Sequence, residues 1–277
     1  MSRADVVIYR CAVAGVQATA ADTARTFSRH SHDTFGVGLV LRGAQNSVSG
    51  RGPVQARAGD IITVNPGEVH DGRPFDERGR AWRMLYFEPV LVHDVAGELG
   101  AAIPASVELE QPVLQDAAFA ARFERAFSVA TGGVAVSDRL ACDEALFVLI
   151  ADFVRRHTTV RLREASRISA DSANACIRRA KARIDDDPCQ PLTLESLATE
   201  AGLSRFQLLR SFARDTGLPP HAYLIQRRIA LARRLIEQGL PLAEAAAGAG
   251  FADQSHMTRA FTRAFGITPA QYAGAVR

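Results

Sequence analysis

Gly250-Phe-Ala-Asp-Gln-Ser-His-Met-Thr-Arg-Ala-Phe-Thr-Arg-Ala-Phe-Gly-Ile-Thr-Pro-Ala-Gln-Tyr272 decides the fold of the C-terminal part of this chain. It reads as a turn at Gly250, a helix over Asp253–Ala264 and a glycine stop at Gly266. The pattern is a second copy. Arg210, Phe212, Gly217, Leu218, Pro220 and Tyr223 match Arg259, Phe261, Gly266, Ile267, Pro269 and Tyr272 at a constant offset of 49 residues. Upstream, Gly202-Leu203 matches Gly250-Phe251 with a one-residue slip. Each copy is a short helix, a glycine turn and a second amphipathic helix: Leu194–Ala201 then Arg205–Asp215, and Leu242–Ala249 then Asp253–Ala264. Thr193 and Ser204 stand at N-cap positions, and His221–Gln238 reads as one connecting helix ended by Gly239. In the first copy Ala198 allows close approach, Gly202 a positive φ, and Leu197, Leu203 and Leu208 fill the interhelical angle. This is helix-turn-helix geometry, whose second helix enters the major groove. Two such units on one rigid connector would reach successive grooves about 34 Å apart.

The rest of the chain is read outward from that repeat. Its 277 residues suit about two domains, each able to bury its own core. A hydrophobic content of 47% excludes disordered, collagen-like and disulfide-scaffold classes. The net charge of +3 divides unevenly, with 14 basic and 9 acidic residues from Asn174 onward. The first 173 residues carry 19 basic and 21 acidic residues, so the basic excess lies on the helical part. Neither a signal peptide nor a membrane-length apolar run is visible, and Cys11, Cys142, Cys176 and Cys189 lack metal-finger spacing. These features point to a cytoplasmic protein with reduced thiols and no membrane partner.

Residues from about 30 to 90 read as short strands punctuated by Gly and Pro, an antiparallel barrel or sandwich. Val37–Leu41, Asn46–Ser49, Val54–Arg57 and Ile61–Val64 are the clearest runs. Trp82, Met84 and Tyr86 alternate with Arg83, Leu85 and Phe87, placing the two sets on opposite faces. Val113–Ala130 and Ser137–Arg156 carry helical periodicity on either side of Thr131-Gly-Gly133, with Ser137 as an N-cap. Their apolar stripe must be covered by the strand domain or by a second subunit. Leu146, Phe147, Ile150 and Phe153 are assigned here to a homodimer interface. The expected division is 1–112 for the strand domain, 113–157 for the helical hairpin, 158–173 for a polar linker and 174–277 for the helical module.

The Gly250–Tyr272 run resembles the signature of AraC/XylS-type bacterial transcription regulators. Leu192-Thr-Leu-Glu-Ser-Leu-Ala198 and Leu203-Ser-Arg-Phe-Gln-Leu-Leu-Arg-Ser-Phe212 resemble that family's first helix-turn-helix. The resemblance implies that Arg205, Phe206, Gln207, Leu209 and Arg210 face DNA from the first reader, and Asp253, Gln254, Ser255, His256 and Arg259 from the second. Arg suits guanine and Gln suits adenine, although phosphate contact is the commoner role of Arg. Arg227, Arg228, Arg233 and Arg234 of the connecting helix are expected to be solvated or to face phosphate. Phe212, Phe261 and Phe265 are expected in the core.

Phe27-Ser-Arg-His30-Ser-His32 and Gly59-Asp-Ile-Ile-Thr-Val-Asn-Pro66-Gly67-Glu-Val-His70 resemble the two motifs of a cupin barrel. In a metal-binding cupin His30, His32, a following Glu and His70 would converge on one ion. No Glu follows here, and only Asp33 is acidic. Three imidazoles can still hold Zn or Fe. The missing carboxylate favours an organic-effector pocket of His30, His32, His70, Trp82 and Tyr86, with no metal, cofactor or catalytic group assigned.

The fold class expected is α+β: a cupin-like β-barrel with a helical hairpin, then an all-α DNA-binding domain with two helix-turn-helix units joined by a connecting helix. The function implied is an effector-controlled regulator, an activator more than a repressor, that binds promoter DNA as a homodimer and contacts RNA polymerase. Two other readings stay open: a metal-dependent cupin enzyme fused to a DNA-binding domain, and a ligand-independent regulator with a structural barrel.

Overall fold

The structure, a computed structural model, describes residues 6–101, 107–132, 139–162 and 170–276. It divides into two compact units, Met1–Val134 with Ala145–Ala165, and Ala135–Glu144 with Ser166–Arg277. Among the described residues no helix is long and apolar enough to cross a membrane. All four cysteines are free thiols.

The first unit contains β1 (Val6–Arg10), β2 (Val16–Thr23), β3 (Phe27–His30), β4 (Phe35–Arg42), β5 (Ala44–Ser49), β6 (Gly52–Arg57), β7 (Ile61–Val64), β8 (His70–Pro74) and β9 (Arg80–Phe87). Helix α1 (Pro89–Glu98) and the two-residue β10 (Val113–Leu114) follow, then α2 (Ala117–Thr131) and, from Ala145 onward, α3 (Arg139–Arg156), whose first residues fall in the second unit. One antiparallel sheet runs β1-β2-β9-β4-β7-β10 and the other β3-β8-β5-β6. The expected antiparallel barrel or sandwich is built of these two sheets among the described residues. The sheet edges are β1 and β10 in the first and β3 and β6 in the second; β10 has two residues, and β3 has four with a register shift between Phe27 and His30. The chain changes sheets at Gly43, in the left-handed region at φ 72° between β4 and β5.

Strands β1 and β2 and helix α1 lie outside the expected elements. Val16–Thr23 is Ala- and Thr-rich, so its sequence carries little apolar contrast even though Val16, Ala18 and Ala21 are buried. Residues 113–116, expected within the first helix, instead supply β10 and the cap of α2. Asp116 is that cap, accepting from Phe119 N at 2.9 Å. Ser137 and Gly133 lie outside the described residues.

The β9 alternation holds. Leu85 and Phe87 are fully buried on the face away from Trp82, and Arg83 reaches Glu124 of α2 at 3.7 Å. Phe87 packs on Phe153 of α3 with ring centroids 6.1 Å apart. Leu146, Phe147, Ile150 and Phe153 are each at most 4% exposed in the single chain, which corrects their assignment to a dimer interface. An apolar stripe can be buried only once, and here the chain itself covers it. Asp116 also ties the two helices together, lying 3.0 Å from Arg156 Nη1 and 3.4 Å from His157 Nε2.

The second unit contains α4 (Ala170–Asp186), α5 (Leu194–Ala201), α6 (Arg205–Thr216), α7 (Pro220–Glu237), α8 (Leu242–Gly248), α9 (Gln254–Phe265) and α10 (Pro269–Val276). Helix α4 begins at Ala170, inside the stretch 158–173 expected as the linker. Thr158 and Leu162, expected in the linker, bridge to Leu109 and Ala101 of the first unit, and 163–169 lie outside the described residues.

Two substitutions test this packing. A Cβ on Gly38 of β4 would lie 2.0 Å from Met84 Sδ and 2.6 Å from the Arg83 carbonyl oxygen. Gly38→Ala is expected to lose about 1–3 kcal/mol, read by chemical unfolding. The Asp116 carboxyl is held below its usual range, first by the Phe119 amide and then by Arg156 and His157. Asp116→Ala is expected to cost about 1 kcal/mol at neutral pH. A depressed native pKa stabilises above the unfolded value of about 3.9 and is lost as pH falls through the lower native value. The difference between wild type and Asp116→Ala in unfolding free energy therefore shrinks from pH 6 to pH 3.

Candidate functional site

Two candidate sites stand in the two units. The first is a cavity of about 250 Å³ between the sheets. Strand alternation on β9 places Arg80, Trp82, Met84 and Tyr86 on its wall, and Ile62, Val64 and Val113 add apolar surface. Arg80 lies two residues before Trp82 in the same alternation and extends this face beyond the residues expected from the sequence. Arg80 is 1% exposed and donates to Gln45 Oε1, the Arg25 carbonyl and the Gly72 carbonyl. Its guanidinium lies 4.7 Å from the Trp82 ring centroid. Burial draws the Arg80 pKa down from its ordinary value, and carbonyl acceptors with an aromatic face hold the cation in place.

His30, His32 and His70 converge on this cavity as the sequence reading expects. His30 and His70 face each other across the β3–β8 pair, with ring centroids 4.5 Å apart. His32, just past β3, lies 4.9 Å from His30 and 5.3 Å from His70 by centroids. Its backbone carbonyl accepts from Gly67 N at 2.7 Å, joining the two sequence motifs. The Tyr86 ring lies 5.1 Å from His32. Burial lowers the His32 pKa, with smaller contributions from His70 and His30, while burial raises that of the Tyr86 phenol. Asp33 is exposed and stands outside the cluster.

The second site is the surface of the repeated helix pairs. Gly202 ends α5 at φ 69°, and Leu197, Ala198, Leu203 and Leu208 are buried in the angle. The repeat persists in three dimensions. Phe212 meets Tyr223 and Phe261 meets Tyr272, both with centroids 5.5 Å apart. Each tyrosine hydroxyl donates to a carboxylate, Tyr223 to Asp185 at 2.8 Å and Tyr272 to Glu237. Burial and the Asp185 charge push the Tyr223 pKa up to about 12.

The expected reader residues divide into two groups. Arg210 and Arg259, at matching repeat positions, are both exposed, as are Gln254 and Ser255. Arg205, Phe206 and Leu209 are half-buried on α6. Gln207 belongs to a capping box, its Oε1 accepting from Ser204 N while Ser204 Oγ accepts from Gln207 N. Asp253 is the N-cap of α9, accepting from His256 N at 2.6 Å. His256 is half-buried with its ring 5.2 Å from Phe251. Their first-turn positions explain both the reader assignment and the capping role.

The connecting helix also departs from expectation. Arg228 is fully buried and donates to the Pro188 carbonyl at 2.7 Å, so it is a structural residue. Arg227 pairs with Asp185 at 2.8 Å and Arg233 with Glu237 at 3.5 Å, whereas Arg234 is exposed. Phe212 and Phe261 are fully buried, but Phe265 is 45% exposed.

Residues 13–150 match the model of the AraC-like ligand binding domain, and 197–275 match a helix-turn-helix domain. The chain is 27% identical over 236 residues to the uncharacterized HTH-type transcriptional regulator YbfI of Bacillus subtilis, covering 83% of this chain and 81% of YbfI. It is 24% identical over 253 residues to the HTH-type transcriptional activator RhaS of Klebsiella pneumoniae, covering 88% of this chain and 86% of RhaS. Multiple antibiotic resistance protein MarA of Salmonella typhimurium is 32% identical over 90 residues, covering 32% of this chain and 71% of MarA. These likenesses leave the enzyme reading without support. With a ligand-binding domain before a duplicated helix-turn-helix module, the chain belongs to the AraC family of DNA-binding transcription regulators.

Proposed function

We propose that this regulator reads a promoter sequence through α6 and α9 and is switched by a small molecule in the first unit's cavity. The observation that carries the reading is the pairing, in one chain, of a 250 Å³ aromatic-walled cavity with two helix-turn-helix units. Arg210 and Arg259 are the foremost DNA contacts, with Arg205, Gln254 and Ser255 beside them. Phe206, Leu209 and His256 shape the same surface. Gln207 and Asp253 serve through the helix N-termini that they cap. Trp82 and Tyr86 supply stacking area and a phenolic hydrogen bond to the effector, with His30, His32 and His70 along the same wall.

The mechanism is a population shift: an effector that binds one state of the chain more tightly changes the occupancy of the promoter by that difference. In this reading the protein works in the cytoplasm as a homodimer and activates by contacting RNA polymerase. The name of RhaS as a transcriptional activator supports that sign. The buried α3 stripe supplies no dimer surface, so a homodimer would use other residues.

Anisotropy titrations on DNA upstream of the gene and its neighbours test the reading. Arg210→Ala and Arg259→Ala should each weaken specific binding by about 1–3 kcal/mol, roughly 5- to 150-fold, with little change in nonspecific binding. Equal loss on specific and random DNA would reduce both to phosphate contacts, and no sequence preference in the wild type would overturn the reader assignment. A metabolite that raises the melting temperature should lose that effect in Trp82→Ala.

A further inference from the structure

We propose that His30, His32 and His70 form a binding site for a divalent transition metal of the Zn²⁺ class, with an open coordination position toward the cavity. One ring nitrogen from each of the three lies within 4.8 Å of the other two. Convergence alone would fit three packed imidazoles, but their orientation is more specific. His30 Nδ1 stands 2.7 Å from the Ser28 carbonyl, and His70 Nδ1 stands 3.0 Å from the Glu68 carbonyl. A carbonyl oxygen only accepts, so in the neutral form of both rings Nδ1 is the donor and Nε2 is the nitrogen with the free lone pair. Backbone carbonyls that fix the tautomer in this way are the usual outer shell of a metal-binding histidine.

The backbone holds the three donors in place. His30 and His70 are paired across two strands, and the His32 carbonyl is fastened to Gly67 in the turn before β8. The donor set determines the ion. Imidazole nitrogens suit Zn²⁺, Co²⁺, Ni²⁺, Cu²⁺ and Fe²⁺, whereas Mg²⁺ and Ca²⁺ require oxygen ligands. The missing carboxylate does not disqualify the site, because three nitrogens complete an open tetrahedral set with one vacant position. At Zn–N distances of about 2.0–2.1 Å the nitrogens stand roughly 3.4 Å apart, so binding draws the rings inward. His30 is exposed and has the freedom to make that movement.

The vacant position opens on the wall of Trp82, Met84 and Tyr86. An effector with an oxygen or nitrogen donor on an apolar body would complete the coordination there. This last step rests on the cavity being the effector site, whereas the metal site itself does not.

The test uses untagged full-length protein stripped with EDTA and titrated with Co²⁺ alone. The expected result is one equivalent per chain with the visible d–d absorption of a nitrogen-ligated ion, displaced by Zn²⁺. His32→Ala and His70→Ala should each abolish the band, with folding checked by thermal unfolding. His70→Cys, which restores a donor, should return a band shifted toward thiolate absorption. Arg210→Ala should bind metal as wild type does. No band in folded wild type, or binding that survives both alanine variants, overturns the site. Metal binding with no metabolite altering promoter affinity would leave the site standing and sink the effector reading. An effector response unchanged in both the stripped protein and the alanine variants would show that the metal takes no part in it.

Discussion

Strand β9 carries a constraint on which the first unit depends: consecutive side chains of a strand leave on opposite faces. Between β2 and β4, Arg80, Trp82, Met84 and Tyr86 go to the cavity, while Leu85 and Phe87 go under the helices. A slip of one residue would exchange the two sets and bury the wrong one. Strand β4 helps to hold the register by what it lacks. At Gly38 the Met84 sulfur and the Arg83 carbonyl occupy the space that a Cβ would need, and at Gly36 a Cβ would press on the end of the Met84 side chain. Met84 reaches the cavity wall because position 38 on the neighbouring strand carries no side chain.

The second unit depends on local rather than long-range constraints. Each recognition helix is started by its own cap, Ser204 or Asp253, and ended by a left-handed glycine, Gly217 or Gly266. Each then rests on a Phe–Tyr contact whose tyrosine is anchored to a carboxylate. Helix α7 serves both copies: Leu224 is buried near its start, and Ile229, Ala232 and Ile236 enter the core of the second copy. The fully buried Arg228 fastens the same helix to the Pro188 carbonyl. A duplicated motif thus retains similar internal mechanics in both copies while leaving Arg210 and Arg259 to the solvent.

Legibility in the sequence followed this difference. The helix-turn-helix pairs could be read because caps, glycine stops and apolar spacing lie within a few residues of one another. The β9 face was legible for the same reason, since alternation is local. Strand β2 was not, because its Ala and Thr reveal burial poorly, and β1 was not, because its apolar residues stay largely exposed and show no burial alternation. Gln207 and Asp253 were expected to face DNA, and a polar residue in a first turn can serve DNA or the helix end; the capping role is visible only in the hydrogen bonds.

The sequence by itself determined the duplicated reader, its matched arginines, the strand-rich first half and the family to which both belong. Tertiary structure decided the rest. It turned the Leu146–Phe153 stripe inward, buried Arg228, brought Arg80 into the cavity wall and oriented two imidazoles by backbone carbonyls. The reason is physical: periodicity specifies which side of an element is apolar, but not what covers it. Covering surfaces and converging groups come from residues distant in sequence, such as Arg80, whose guanidinium meets the Gln45 side chain and the Arg25 carbonyl.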